Sequence, residues 1–162
     1  MLAFAYYERG EMYSFYKDDH DAAIRDFSKT IEIVPKYARA YCSRGYAYSK
    51  KGNPDAAIRD FGKVIELPPM DYDAHLARGQ EYFLEKGDYD AAIRDFDSAI
   101  VMRPMRLPQY YDRGKVHFAK GDYDAAMRDL NKADPKHSAM SREELRCALG
   151  ISANTNGKRA IC

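Results

Sequence analysis

Apolar side chains return along this chain at helical spacing, in short runs broken by Gly, Pro and acidic residues. Between Asp55 and Glu66, the residues Ala57, Ile58, Phe61, Val64 and Ile65 fall at i, i+3, i+4 intervals, which places them on one helix face. The stretch from Tyr37 to Lys51 reads as another helix. Gly52-Asn53-Pro54 halts it, since Gly and Pro both oppose continuation. Asp55 opens the second helix, where the helix dipole favours negative charge, and the helix ends before Pro68-Pro69. The same devices recur: Gly87-Asp88 and Gly121-Asp122 at the turn, Pro35 and Pro104 at the exit.

The pattern is a repeat. DAAIRDF stands at Asp21–Phe27, Asp55–Phe61 and Asp90–Phe96, and DAAMRDL at Asp124–Leu130, with start-to-start steps of 34, 35 and 34. Arg-Gly returns at Arg9-Gly10, Arg44-Gly45, Arg78-Gly79 and Arg113-Gly114, with steps of 35, 34 and 35. Periods of this size mark stacked supersecondary units that bury their apolar faces on one another. In each second helix the leading Asp is expected to pair on the solvent side with the Arg four residues on: Asp21 with Arg25, Asp55 with Arg59, Asp90 with Arg94, Asp124 with Arg128. Glycines 10, 45, 79 and 114 fall mid-helix, where Gly is about 1 kcal/mol worse than Ala. Their regular return predicts a neighbouring helix too close for a Cβ, with Ala23, Ala57, Ala92 and Ala126 facing that contact.

Aligned on these markers, the first repeat supplies Tyr6, Arg9, Gly10, Tyr13, Ala23, Phe27 and Pro35. The second supplies Tyr41, Arg44, Gly45, Tyr48, Ala57, Phe61 and Pro69, and the third His75, Arg78, Gly79, Tyr82, Ala92, Phe96 and Pro104. The fourth has Tyr110, Arg113, Gly114, His117, Ala126, Leu130 and Pro135. Over residues 3 to 135 this resembles the tetratricopeptide repeat. Tyr or His stands where that family usually has Trp, and Arg replaces the usual Leu before each Gly. The fourth repeat is short between Leu130 and Pro135, so its second helix should end near Ala133.

The resemblance implies an all-α, right-handed α-solenoid of helix-turn-helix repeats, eight helices plus a cap. The expected single domain spans 1–150, with repeats at about 3–37, 38–71, 72–106 and 107–137. Ser141-Arg-Glu-Glu144 reads as a capping box, opening a terminal helix over about 141–149 that would cover the last repeat. The polar tail, 151–162, is expected to be disordered.

Composition narrows the function. The 26 Lys and Arg nearly cancel the 25 Asp and Glu, so no basic excess marks a nucleic-acid or membrane-surface binder. The N-terminal stretch lacks a basic leader and its apolar run stops at Glu8. No segment reaches the ~20 apolar residues that span a bilayer, which points to a cytoplasmic protein. Cys42, Cys147 and Cys162 are too scattered for a disulfide framework or a zinc site, and His20, His75, His117 and His137 share no ligand spacing. No metal or cofactor is expected. His75 and His117 occupy aromatic packing positions, and Asp18, Asp19 and Asp21 read as helix-capping and solvated charge. With no nucleophile motif or phosphate loop, no catalytic residue is assigned and the chain is not read as an enzyme.

Two readings of the Arg before each Gly compete: a ladder for an anionic ligand, or pairing with Asp26, Asp60, Asp95 and Asp129. The joint recurrence of Arg and Asp favours pairing, because an unpaired buried charge is costly. The other face of each first helix carries Phe4, Tyr7, Glu11 and Phe15, then Arg39, Cys42, Tyr46 and Lys50. It continues with Asp73, Leu76, Gln80, Phe83 and Leu84, then Tyr111, Lys115 and Phe118. In the resembled family this face lines a concave, peptide-binding groove. Aromatic residues there act as interface anchors. The candidate groove is Tyr7, Glu11, Phe15, Arg39, Tyr46, Lys50, Leu76, Phe83, Tyr111, Lys115 and Phe118, with the cations orienting an acidic or polar ligand group. Members that clamp a C-terminal carboxylate use Lys and Asn at positions that here hold Tyr7, Glu11, Ser43, Asp73 and Ala77, so that clamp is not expected. The expected partner is another protein or peptide. The alternative is a self-assembling scaffold, a homo-oligomer built through the uncovered terminal helix or the groove.

Overall fold

The structure, a computed structural model, describes residues 1–68, 71–134 and 144. The predicted capping helix over 141–149 and the tail over 151–162 lie outside the described residues, Glu144 apart, which is helical and exposed. The chain is all-α, in helix-turn-helix repeats. Its helices are α1 (Leu2–Tyr16), α2 (His20–Ile33), α3 (Ala38–Lys50), α4 (Pro54–Glu66), α5 (Tyr72–Glu81), α6 (Tyr89–Met102), α7 (Pro108–Lys120) and α8 (Tyr123–Ala133). A π-helical turn, Tyr82–Lys86, continues α5. Two compact units divide at Asp88: the first holds α1 to α5 and the π turn, the second α6 to α8. No helix among the described residues is long and apolar enough to cross a membrane.

Local sequence explains where the helices start. Asp19, Asn53, Asp71 and Asp122 each accept a hydrogen bond from the backbone N–H three residues on, at 2.9, 3.2, 3.0 and 3.0 Å, satisfying a donor that the first turn leaves open. The second helix, expected to open at Asp55, begins one residue earlier: Pro54 is its first residue, where a missing N–H does no harm. The turn between paired helices needs one left-handed residue, filled by Gly52, Gly87 and Gly121 and, in the first repeat, by Asp18 at φ 52°.

That residue falls eight positions after the mid-helix Gly in the first and third repeats, and seven in the second and fourth. Backbone closure stretches to match. Asp19 and Asp88 donate to the carbonyls of Tyr13 and Tyr82, six residues back, whereas Asn53 and Asp122 donate to Tyr48 and His117, five back. The third repeat absorbs its extra residue as the π turn.

Packing within each repeat rests on a Gly and a ring. A Cβ on Gly10 would lie 2.7 Å from Cε1 of Phe27, and one on Gly45 2.8 Å from Cε1 of Phe61. Both rings are fully buried. The neighbouring helix is as close as the glycines predicted. At Gly10 and Gly45 the nearest atoms belong to the Phe ring, whereas at Gly114 the carbonyl of the predicted Ala126 also lies 3.6 Å from a Cβ position; Ala23 and Ala57 are fully buried. In the second unit Leu130 replaces the ring and lies farther from Gly114, at 3.2 Å.

Arg9, Arg44 and Arg113, each before a mid-helix Gly, pair as the recurrence predicted. Arg9 grips Asp26 at 2.6 and 2.8 Å, Arg44 grips Asp60 at 2.7 and 2.8 Å, and Arg113 grips Asp129 at 2.8 and 2.5 Å. Each pairing is bidentate through Nε and Nη2, and each carboxylate is buried. The remaining nitrogen, Nη1, reaches the preceding repeat: Arg44 donates to Ser28 at 3.0 Å and Arg113 to Asp97 at 2.5 Å. The leading Asp of the second helices departs from expectation. Asp21, Asp55 and Asp90 bond to Lys51, Lys86 (2.8 Å) and Lys120 (2.6 Å) at the end of the next repeat's first helix, not to the Arg on their own helix. A long lysine stem lets the ammonium meet the carboxylate head-on, whereas an i+4 Arg must lie along its own helix. These lysine hydrogen bonds hold the three carboxyls below their ordinary pKa.

Candidate functional site

In the first unit, α1 and α3 flank a cleft of about 500 Å³, lined by Glu11, Ser14, Phe15, Asp18, His20, Cys42, Ser43, Tyr46 and Lys50. That volume lies in the range of small-ligand sites. Phe15 and Tyr46 are the largest apolar surfaces there, 77% and 47% exposed. Tyr46 is held from behind by an edge-on contact with Phe61, ring centroids 5.1 Å apart, so one side of its ring is fixed while the other stays open. A second groove of about 540 Å³ runs along α1, lined by Tyr7, Glu8, Glu11, Met12, Phe15 and Tyr16.

The cleft is apolar and negatively biased. Burial pushes the Cys42 thiol up to about 11, with Asp71, Asp73 and Glu11 adding to the shift. The Tyr46 phenol rises to about 12, again chiefly through burial, with Cys42, Asp73 and Asp71 contributing. Cys42 is thus a neutral, unreactive thiol at neutral pH. Asp18 lies 3.0 Å from Nε2 of His20, whose Nδ1 is enclosed and has no hydrogen-bond partner among the described residues.

Of the sequence-predicted residues, Glu11, Phe15, Tyr46 and Lys50 meet at this cleft. Tyr7 sits deeper, its ring against Phe27 and Tyr37 and its hydroxyl 3.4 Å from Ser43. Arg39 is exposed at the start of α3 and does not line the cleft; Leu76 and Phe83, on α5 and the π turn, are half-buried. In the second unit, Tyr111 and Phe118 pack on Ala126 and Leu130, and Lys115 lies 4.6 Å above the Tyr111 ring and 3.4 Å from Asp112. Ser14, Asp18, His20 and Ser43 were not singled out for the groove. The extra residue in the first repeat, visible as alternating 34- and 35-residue steps, was the available signal that its turn is displaced.

Two family profiles match along the chain, one described as tetratricopeptide repeat over residues 42–104 and 81–140, the other as TPR repeat over 15–52. The chain belongs to the tetratricopeptide repeat family. The tetratricopeptide repeat is a protein-interaction fold and not an enzyme family. No curated protein matches the chain by sequence. Among solved structures, the crystal structure of MamA protein is 24% identical, covering 93% of this chain and 84% of that one, with a TM-score of 0.79. YrrB, described as a TPR protein with an unusual peptide-binding site, is 24% identical over 83% of this chain and 70% of its own, with a TM-score of 0.73. The first TPR of Spaghetti (RPAP3), bound to the HSP90 peptide SRMEEVD, is 21% identical over 74% and 94%, with a TM-score of 0.69. At these identities the likeness is one of fold.

Proposed function

We propose that this tetratricopeptide repeat protein is a binding module that captures a segment of another polypeptide in the cleft between α1 and α3. The observation that carries the reading is the pair of exposed rings, Phe15 and Tyr46, at an apolar cleft of about 500 Å³. Half-fixed aromatic surface gives large contact area at small entropy loss, the usual composition of a binding anchor. The peptide-bound RPAP3 domain and the peptide-binding site named for YrrB support a polypeptide ligand on this fold.

The charge distribution refines the ligand. Glu11, Asp18, Asp71 and Asp73 stand in or beside the cleft, against Lys50. A segment with an apolar anchor flanked by Lys or Arg suits this field better than the acidic group suggested by the cations in the sequence. Affinity near micromolar, about −8 kcal/mol, is expected for a groove of this size. The test is affinity capture from native cell extract with wild type and with a Phe15→Ala, Tyr46→Ala variant shown to be folded by circular dichroism. A protein retained by the wild type and lost by the variant supports the cleft; identical retention by both baits sinks it.

A further inference from the structure

The turns between paired helices place glycine at their left-handed residue in three repeats, as Gly52, Gly87 and Gly121, whereas the first repeat places Asp18 there, at φ 52°. A left-handed backbone crowds the Cβ of an L residue, so Asp18 carries a conformational cost that glycine avoids. Helix capping does not account for it, because Asp19 is the residue that accepts the Ala22 N–H, at 2.9 Å. Two residues on, the first repeat departs again: His20 stands where the others have Pro54, Tyr89 and Tyr123. Both departures line the cleft between α1 and α3.

The Asp18 carboxylate is held by one oxygen only. Its Oδ1 lies 3.0 Å from Nε2 of the largely enclosed His20, while the Asp18 side chain is 91% exposed and its Oδ2 accepts no hydrogen bond among the described residues. Neighbouring lysines are turned elsewhere. Lys17 lies over the Tyr13 ring at 5.0 Å, and Lys51 is bonded to Asp21. Lys50 lines the cleft but makes no ion pair with Asp18. Phe15 and Tyr46 supply the exposed rings of the same cleft, and Glu11 adds a second carboxylate.

We propose that Asp18 is the residue by which the cleft selects its polypeptide, accepting the ammonium or guanidinium of a Lys or Arg that neighbours an apolar anchor on Phe15 and Tyr46. The assignment rests on the cleft being the polypeptide site. Charge complementarity selects a basic occupant, because Glu11 and Asp18 face a single lysine, Lys50. An acidic segment would meet two carboxylates and is rejected by like-charge repulsion. Asp18 stands in water until a ligand covers the rings; the lower local dielectric then strengthens the pair. Glycine would suit the turn better, but it has no carboxylate to offer, so the cost of a left-handed aspartate is held at the binding site.

The experiment pans a phage-displayed library of short random peptides on the immobilised full chain, then titrates an enriched peptide, fluorescein-labelled, by anisotropy at one salt concentration. Wild type should enrich peptides with Lys or Arg at a fixed spacing from an aromatic or aliphatic residue. Asp18→Asn should weaken binding of such a peptide about fivefold. Changing the peptide's basic residue to Gln should weaken binding to wild type equally and leave binding to Asp18→Asn unchanged, a coupling that a merely structural role would not produce. Asp18→Gly should lose the same affinity yet unfold at no lower urea concentration than wild type, because glycine suits the turn. Enriched peptides that need Phe15 and Tyr46 but show no basic preference, or that bind Asp18→Asn unchanged, overturn this inference and leave the cleft standing. An Asp18→Gly variant that unfolds earlier assigns the carboxylate to the fold and overturns it equally. No enrichment, or enrichment indifferent to Phe15→Ala with Tyr46→Ala, removes the cleft as a binding site and this inference with it.

Discussion

Replacing three helical glycines by alanine separates the need for close packing from helix propensity. On propensity alone each Gly→Ala change stabilises by about 1 kcal/mol. At Gly62, in α4, the nearest atom to a new Cβ is Nη1 of Arg78 at 3.5 Å, an ordinary contact with a movable side-chain end. Gly62→Ala should therefore keep most of that gain. At Gly45 the new Cβ would lie 2.8 Å from Cε1 and 3.1 Å from Cδ1 of Phe61, against 3.4–4 Å for ordinary contact. The ring must retreat by several tenths of an ångström, yet it is fully buried, and overpacking of this kind costs about 1–3 kcal/mol. Gly45→Ala should end up about 1–3 kcal/mol less stable than Gly62→Ala. Gly114→Ala should fall between them, because its Cβ meets Leu130 at 3.2 Å and a leucine can change rotamer. Urea unfolding followed by circular dichroism at fixed pH measures all three. Equal stability of Gly45→Ala and Gly62→Ala would refute the claim that the Phe61 ring dictates glycine on the facing helix.

Other substitutions probe the polar core. Glu81 occupies the buried position held by Ala47 and Val116 in neighbouring repeats, with Oε2 enclosed and unbonded among the described residues, so Glu81→Ala should stabilise by about 1 kcal/mol in the same urea assay; a loss of stability would contradict this. Arg44→Leu leaves Asp60 buried without its two hydrogen bonds and should cost about 3 kcal/mol, whereas Arg9→Leu should cost less because Arg9 is the more exposed partner. Burial lowers the pKa of His117 from 6.5, although Asp129 and Asp122 oppose the shift. The unfolded chain therefore takes up the proton first, and stability should fall as pH drops below 6.5 toward the lower folded value. His117→Tyr, which installs the residue found at the matching Tyr48 and Tyr82, should remove that part of the slope; thermal melts from pH 7.5 to 5.5 would show an unchanged slope if the assignment is wrong.

Much of the fold was legible because the same local rules act four times. Spaced Ala, Phe and Ile residues set the helices, and the joint return of Arg and Asp was enough to anticipate Arg44 on Asp60. What escaped the sequence depended on distance in three dimensions. The link from Asp55 to Lys86 joins residues 31 apart, while the i+4 Arg59 offered a nearer and equally charged candidate. The neighbour of Gly45 proved to be the Phe61 ring because side-chain direction, not helix spacing, decides what fills the gap. Within the cleft, Glu11, Phe15, Tyr46 and Lys50 followed from helix-face geometry. Asp18 and His20 did not, since an extra residue in the turn brings them there. Tyr7, Tyr111 and Phe118 share the same sequence periodicity as Tyr46, but rings and aliphatic side chains beside them take up much of their surface.

The central claim is that Phe15 and Tyr46 form the anchor site for a polypeptide ligand. Its most direct measurement is the affinity of a captured partner's binding segment for wild type and for Tyr46→Ala, taken by fluorescence anisotropy at one salt concentration. The expected result is near-micromolar binding that weakens at least about tenfold in the variant, as loss of an aromatic hot spot requires, with the fold retained. Equal affinity of the two proteins for that segment would contradict the account.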